Sequence, residues 1–308
     1  MSRGRHILEL SEEESRQFLG SFDAVVLDCD GVLWSVYDSI EGADAALKLL
    51  RGSGKTVKFI TNNSVRPIVS YRQQLQALGF AVQEADIIHP AASIVRYLRA
   101  RAFDGLIYCL GTDNFKGVLQ QAGFQLLDGP AQPLPESFHQ IIATVDDRAP
   151  VRAVVVDVDF NANYPKLMRA EMYLKRHPDC LLIAGAPDRK IHVKPGCDMI
   201  GPGAFVELLE KAVGKRAIVL GKPGYHLRSI VRDQCELGQP ARTLLIGDML
   251  EQDMAFASLC GFQKLLVLSG GTSKEQMLRT ESPLQEADYY ADSLKDFVQL
   301  YAKAYSRK

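Results

Sequence analysis

The stretch Asp23–Trp34 limits the folds open to this chain more than any other. Residues 24–27 form a short apolar run typical of a buried strand, and Asp28 and Asp30 follow at once, before Gly31. Unpaired charge inside a protein is costly, so the two acids need water, a metal ion or a partner. Ligands of an open parallel sheet bind beyond the carboxyl ends of its strands. The stretch therefore predicts a core strand that ends in an active site.

A surface turn is the alternative interpretation of Asp-x-Asp-Gly, because Asp and Gly both favour turns. The neighbouring pattern favours the strand. A helix is predicted over residues 41–51, a second strand over 56–60 and a further helix from Pro67 to about residue 78. Strands that alternate with helices indicate a parallel sheet with right-handed crossovers.

Three further predicted strands end in polar residues. The strand at 56–60 runs into Thr61, Asn62 and Asn63, where a hydroxyl and the amides of a helix start can bind an anion, although an ordinary helix cap uses the same residues. The strand at 217–220 precedes Lys222. The strand at 243–246 precedes Asp248, with Asp253 close behind.

If these strands share one sheet, their side chains meet at one edge. Several carboxylates cannot all ionise together without a cation, and their oxygens suit Mg²⁺. A lysine and a hydroxyl beside that ion would bind a dianionic phosphate. One carboxylate can then act as a nucleophile and a second as a proton donor.

Other segments give weaker predictions. Residues 7–19 resemble an amphipathic helix interrupted near Ser11. A strand is expected around 139–143 within a long Pro-, Asp- and Gly-rich loop. A second Asp-x-Asp, at 157–159, is interpreted as a strand-end loop. The long segment 185–203 is predicted to be a functional loop, because loops of this length seldom lack a role.

Composition excludes several classes of protein. The 308-residue chain is 47% hydrophobic and 24% charged with a net charge of -1, which is ordinary for a soluble globular protein and argues against nucleic-acid or membrane-surface binding. We find neither a signal-peptide core nor an apolar run of about 18 residues. Six scattered cysteines without a C-x-x-C pair indicate reduced thiols and a cytoplasmic protein.

Four motifs in order resemble the haloacid dehalogenase-like hydrolases. They are Val-Val-Leu-Asp-Cys-Asp-Gly-Val-Leu-Trp (25–34), Phe-Ile-Thr-Asn-Asn-Ser (59–64), Val-Leu-Gly-Lys-Pro (219–223) and Leu-Ile-Gly-Asp-Met-Leu (245–250). They are similar to the branch that holds 4-nitrophenylphosphatases, phosphoglycolate phosphatases and pyridoxal phosphate phosphatases. The resemblance covers the chain from about residue 15 to its end.

The resemblance implies an α/β fold: a Rossmann-like, doubly wound parallel-sheet core, residues 1–103 plus 216–308, with a large inserted α/β cap at 104–215. It implies that Asp28 attacks phosphorus to form an aspartyl phosphate and that Asp30 transfers protons. The remaining implied roles are phosphate binding by Thr61, Asn62, Asn63 and Lys222, substrate contact by His192, and Mg²⁺ binding by Asp28, the Asp30 carbonyl and Asp248, with Asp253 in support.

The expected activity is Mg²⁺-dependent hydrolysis of a small phosphorylated metabolite, with 4-nitrophenyl phosphate as an artificial substrate. Relatives commonly carry Thr-Asn where this chain has Gly185-Ala186, and Met249 replaces a usual arginine, so phosphoglycolate and pyridoxal phosphate are open alternatives. A phosphotransferase or phosphomutase with the same chemistry, or a scaffold that has lost catalysis, remain the rival functions. The branch also implies a homodimer formed through the cap.

Overall fold

The computed structural model describes residues 4–35, 38–194, 197–235 and 238–305, with the backbone alone at 192–194. Contacts within the chain divide it into two compact units. The first unit comprises Met1–Thr61, Ile68–Ile88 and Arg228–Lys308, and the second comprises Asn62–Pro67 and His89–Leu227. The domain boundaries predicted from the sequence, between residues 103 and 104 and between residues 215 and 216, remain a prediction.

The strands are short and mostly buried. In chain order they are β1 (Arg5–His6), β2 (Ala24–Asp28), β3 (Thr56–Ile60), β4 (Ile87–Ile88), β5 (Leu106–Leu110), β6 (Leu126–Leu127), β7 (Val151–Val156), β8 (Leu181–Ala184), β9 (Lys190–Lys194), β10 (Cys197–Ile200), β11 (Ile218–Val219), β12 (Thr243–Gly247), β13 (Gln263–Val267) and β14 (Tyr289–Ala291).

The α-helices connect most of these strands. They are α1 (Glu12–Gly20), α2 (Ala43–Gly52), α3 (Ile68–Ala77), α4 (Pro90–Arg99), α5 (Asp113–Gln121), α6 (Phe138–Val145), α7 (Tyr164–Arg176), α8 (Pro202–Val213), α9 (Leu227–Cys235), α10 (Ala255–Cys260), α11 (Lys274–Arg279) and α12 (Leu294–Tyr305).

The first unit is built on a parallel sheet in the order β1-β14-β13-β12-β2-β3-β4. Strand β2 is an inner strand, between β12 and β3, and all five of its residues are buried. Helix α12 packs on α1 and α2, and Phe297 and Leu300 join Leu27 and Leu47 in one apolar core. Each such side chain contributes roughly 1.5–3 kcal/mol when fully buried, so the sheet centre is firmly held.

The second unit has its own parallel sheet, in the order β11-β8-β7-β5-β6. Its central strand β7 is strongly β-branched and packs with Tyr108 and Tyr173 in a separate core. Strand β11 pairs with β8, with Ile218 opposite Ile183. The expectation that all four motif strands share one sheet is therefore wrong, because the strand before Lys222 belongs to the five-stranded sheet.

Three local predictions are also corrected. Residues 138–145 form helix α6 rather than a strand, since the more buried Ile141 and Val145 are one helical turn apart. The loop 185–203 contains the antiparallel pair β9 and β10, which fits the alternation of polar and apolar residues at 190–194. Ser11 does not interrupt a helix but begins one, because its hydroxyl and the Glu14 carboxylate form a capping box for α1.

The predicted fold class is confirmed: both larger sheets are parallel, and helices lie on both sides. Across the described parts of the chain, every helix is too short or too polar to span a bilayer. The six cysteines, all within the described residues, are free thiols.

Candidate active site

Three carboxylates meet where two neighbouring strands of the first unit end. Strand β2 ends at Asp28, and β12 runs beside it in parallel, with Ile246 opposite Leu27, before Asp248 follows. Asp253 completes the group. Ligand oxygens of Asp28, Asp248 and Asp253 all lie within 4.8 Å of one another, and all three residues are buried. The register of β2 and β12 therefore brings Asp28 close to two acids that lie more than 200 positions later in the chain.

Backbone amides hold the two later acids in place. A single π-helical turn, Leu250–Met254, returns Asp253 toward the strand end, where its carboxylate accepts hydrogen bonds from the amides of Asp248 (3.1 Å) and Met249 (2.9 Å). The Asp248 carboxylate in turn accepts a bond from the Gly271 amide at 2.6 Å. Because these partners are backbone groups, the oxygens have fixed directions before any ligand arrives.

Gly31 allows the close packing around Asp248. Its φ of 87° lies in the left-handed region, and a Cβ on this residue would overlap the Asp248 carboxylate. The Ser269 hydroxyl donates a hydrogen bond of 2.8 Å to the Gly31 carbonyl. The glycine after the second aspartate is thus required both by the turn and by the neighbouring acid.

Asp30 lies outside this cluster and has its own partners. The indole N–H of Trp34 donates to Oδ1 at 3.1 Å, and the Tyr71 hydroxyl donates to Oδ2 at 3.4 Å. The Thr61 hydroxyl lies 3.5 Å from the same Oδ2. Both aromatic residues are almost fully buried. They orient a carboxyl group that remains partly accessible, an arrangement that permits proton transfer.

Asn62 and Lys222 belong to the second unit and are joined there. The Asn62 amide donates 2.9 Å bonds to the Lys222 carbonyl and the Asp188 carboxylate, and its oxygen accepts the Lys222 N–H at 2.7 Å. Burial raises the pKa of Asp188 to about 6, while the positive charge of Lys222 opposes the rise. Lys222 itself is 1% exposed.

A second carboxylate of this unit is fully buried. Asp157 accepts hydrogen bonds from the Ser64 hydroxyl and from the amides of Val158 (2.7 Å) and Ala186 (3.0 Å). Burial is the dominant influence, and it raises the pKa of Asp157 to about 6. The second Asp-x-Asp is thus a strand-end loop, as predicted, and its first acid ties segment 184–188 to Ser64.

The remaining predicted site residues are placed as follows. The Asn63 side chain caps its own loop by accepting bonds from the amides of Val65 and Arg66. The His192 side chain falls outside the described residues. No sequence pattern indicated Tyr71 or Asp157 as partners of the motifs, whereas Asp188 lies in the loop already predicted to be functional.

The fold and the site define a class: a Rossmann-like α/β protein with an acid cluster suited to a divalent cation, typical of phosphoryl-group chemistry. A family model described as haloacid dehalogenase-like hydrolase matches residues 25–125, and a second HAD-hydrolase-like model matches residues 219–297. These matches contain Asp28, Thr61, Lys222 and Asp248, each within the motif that predicted it.

Curated relatives extend over nearly the whole chain. The glycerol-3-phosphate phosphatase of Gallus gallus is 34% identical over 303 residues, which cover 96% of this chain and 97% of the relative. The chloroplastic phosphoglycolate phosphatase 1A of Arabidopsis thaliana is 31% identical over 288 residues, covering 93% and 79%. The chain therefore belongs to the haloacid dehalogenase-like hydrolases, and it is a phosphatase of that family.

Solved structures show the same fold. A 4-nitrophenylphosphatase from Thermotoga maritima superposes with a TM-score of 0.75 at 22% identity, covering 91% of this chain and 98% of the other. A glycerol phosphate phosphatase from Mycobacterium tuberculosis in complex with magnesium gives 0.70 at 23% identity, covering 89% and 76%. The resemblance inferred from the four motifs is confirmed.

Proposed function

We propose that this chain is a Mg²⁺-dependent phosphomonoester hydrolase that forms an aspartyl phosphate on Asp28 and acts on a small phosphorylated metabolite. The observation that carries the proposal is the buried cluster of Asp28, Asp248 and Asp253, with ligand oxygens within 4.8 Å of one another. Three buried carboxylates this close repel one another unless a cation or protons compensate them.

The cluster suits magnesium because every side chain in it offers oxygen, the ligand that Mg²⁺ prefers. Asp28, Asp248 and the Asp30 carbonyl would hold the ion, and Asp253 would support them by fixing the Asp248 loop. When bound, the ion polarises a phosphoryl oxygen and neutralises charge. The Mycobacterium tuberculosis protein is found in complex with magnesium and also with calcium, which supports a divalent cation that prefers oxygen ligands.

In the proposed reaction Asp28 is the nucleophile and Asp30 transfers protons. An Asp28 oxygen attacks phosphorus, the ester P–O bond breaks, and the leaving oxygen takes a proton from Asp30. Asp30 then removes a proton from water, whose oxygen attacks the same phosphorus and releases Asp28 and phosphate. The bonds from Trp34 and Tyr71 hold the Asp30 carboxyl group in one orientation for both transfers.

Phosphate binding is proposed for Thr61 and Lys222, which supply a hydroxyl donor and a positive charge. Asn62 would contribute through its backbone N–H, since its side-chain amide already bonds Asp188 and Lys222. Asn63 would likewise contribute through its backbone, because its side chain caps the loop. His192 is retained as a proposed substrate contact.

The substrate class follows from the relatives, which are named for glycerol-3-phosphate and phosphoglycolate. Both are small phosphomonoesters, and we propose that this chain takes a metabolite of similar size. Gly185 and Ala186 offer no polar side chains to a leaving group. A panel of glycerol-3-phosphate, phosphoglycolate and pyridoxal phosphate would rank these candidates by kcat/KM.

The first experiment measures release of 4-nitrophenol from 4-nitrophenyl phosphate, with and without Mg²⁺, for the wild type and Asp28→Asn. We expect turnover that requires Mg²⁺ in the wild type and a loss of at least about 10³-fold in the variant, since the nucleophile is gone. Asp44→Asn is the control, because Asp44 is an exposed acid of the same unit and is paired with Lys48.

Three outcomes would change the proposal. A folded wild type that is inactive on every phosphomonoester tested would favour the scaffold. Turnover that rises when a sugar-phosphate acceptor is added would favour a phosphotransferase or phosphomutase. Equal activity of the wild type and Asp28→Asn would refute the aspartyl-phosphate mechanism itself.

We also propose a homodimer formed through the second unit. Helix α6 leaves Phe138 88% exposed and Ile142 58% exposed, which is unusual for side chains of this size. Light scattering should give twice the chain mass for the wild type and a smaller mass for Phe138→Glu. A monomeric wild type would refute the dimer. The cytoplasmic location and the lack of nucleic-acid or membrane partners remain predictions.

A further inference from the structure

The Asn62 side chain joins three segments of the second unit. Both of its amide hydrogens are used, one by the Lys222 carbonyl and one by Asp188, and its oxygen accepts the Lys222 N–H. Donor and acceptor are thus engaged at 2.7–2.9 Å, which fixes the side chain and the Lys222 backbone together. A side chain held this way is a structural link rather than a free ligand.

Asp188 supplies both the third hydrogen-bond partner and a negative charge. It follows β8 in the segment where Ala186 is tied to Asp157. Lys222 is 1% exposed, and a buried ammonium group is costly without a nearby opposite charge. The positive charge of Lys222 opposes the rise of the Asp188 pKa that burial causes, so each charge favours the ionised form of the other. Asp188 therefore acts on Lys222 twice, through Asn62 and through its charge.

We propose that Asp188 is a positioning residue for the phosphate site, because it fixes the Asn62 amide and the charge environment of Lys222. The proposal rests on the proposed function for the role of Lys222 in binding phosphate. It adds a carboxylate that the four motifs do not contain. Asp188 does not contact the reacting atoms in this scheme, so its loss should weaken substrate binding more than it slows the chemical step.

The positioning can be measured without turnover. The NMR spectrum of protein labelled with ¹⁵N-asparagine contains few side-chain amide signals, because the chain has only five asparagines: Asn62, Asn63, Asn114, Asn161 and Asn163. Asn62→Asp identifies the Asn62 pair. We expect Asp188→Ala to change the chemical shifts of the two Asn62 amide hydrogens and to speed their exchange with water. Unchanged Asn62 signals in this variant would overturn the proposal.

The catalytic consequence is measured with 4-nitrophenyl phosphate. Asp188→Ala should raise KM about tenfold or more, the size of one lost hydrogen bond to a charged group, while kcat changes by less than about threefold. Asp188→Asn keeps an oxygen that can accept from Asn62 and removes only the charge. This variant should leave the Asn62 signals unchanged and should raise KM less than Asp188→Ala does. If the alanine variant does not fold, Asp188→Asn still tests the effect of the charge on KM.

Asp159→Asn is the matched control. Asp159 is also an acid of the second unit; its side chain is 6% exposed and pairs with buried Lys166 at 2.9 Å. Its loss should leave KM and the Asn62 signals unchanged. An equal rise of KM in the control, or a fall of kcat at constant KM in Asp188→Ala, would overturn the positioning role. An inactive wild type would refute the proposed function, and the Asn62 signals would still decide whether Asp188 holds Asn62.

Discussion

Replacing Gly185 by alanine should destabilise the second unit, because the new methyl group has no room. A Cβ at this position would overlap the Asp157 carboxylate, which is 1% exposed and accepts three hydrogen bonds. Overpacking a core costs about 1–3 kcal/mol. Displacing the carboxylate from one of its donors adds about 1–3 kcal/mol. We therefore expect Gly185→Ala to lower the free energy of unfolding by about 2–6 kcal/mol.

The assay is urea unfolding followed by circular dichroism, because the single tryptophan, Trp34, lies in the first unit and would not report on the second. Gly117→Ala is the matched control. Gly117 lies within helix α5 of the same unit with open space around it, so alanine there should stabilise by about 0.5–1 kcal/mol.

The double variant Asp157→Gly with Gly185→Ala tests the cause. If the carboxylate is the obstacle, the two changes should be coupled by about 1–3 kcal/mol, and the double variant should lose less stability than the sum of the single variants. A cost below about 1 kcal/mol for Gly185→Ala, or strict additivity in the double variant, would refute the steric argument.

Three further predictions concern individual acids and their partners. The pKa of Asp157 is raised from 3.8 to about 6 in the folded protein, so the stability that its protonated form provides at low pH should be lost as pH rises from about 4 to 6. The difference in unfolding free energy between the wild type and Asp157→Gly should change by about 3 kcal/mol over that range, and a flat difference would contradict it. Asp253→Ala should raise the Mg²⁺ concentration for half-maximal activity about 10–100-fold, measured by metal titration, because the Asp248 and Met249 amides lose their acceptor. Trp34→Phe removes the indole donor to Asp30 and should lower kcat about tenfold at unchanged KM, whereas an unchanged kcat would show that this bond does not orient the acid.

Several elements could be predicted from the sequence with accurate bounds. The strands predicted at 24–27, 56–60 and 243–246 are found where their patterns placed them, as Ala24–Asp28, Thr56–Ile60 and Thr243–Gly247. Each is a short, mainly apolar run that ends in polar or glycine residues, so local preference and tertiary packing agree. Where the local signal was ambiguous, as in the apolar segment 138–145, the prediction of a strand was wrong.

The sequence by itself determined the chemistry of the site: carboxylates after buried strands, a hydroxyl before a helix, and a lysine after a short strand. Such residues are informative because buried charge persists only with a function or a partner. Tertiary structure alone decided which of them meet. It placed Ile218–Val219 in the five-stranded sheet, turned Tyr71 toward Asp30, and set Asp157 against Gly185. These contacts join residues far apart in the chain. They are selected by strand register and close packing, and no local sequence pattern encodes either.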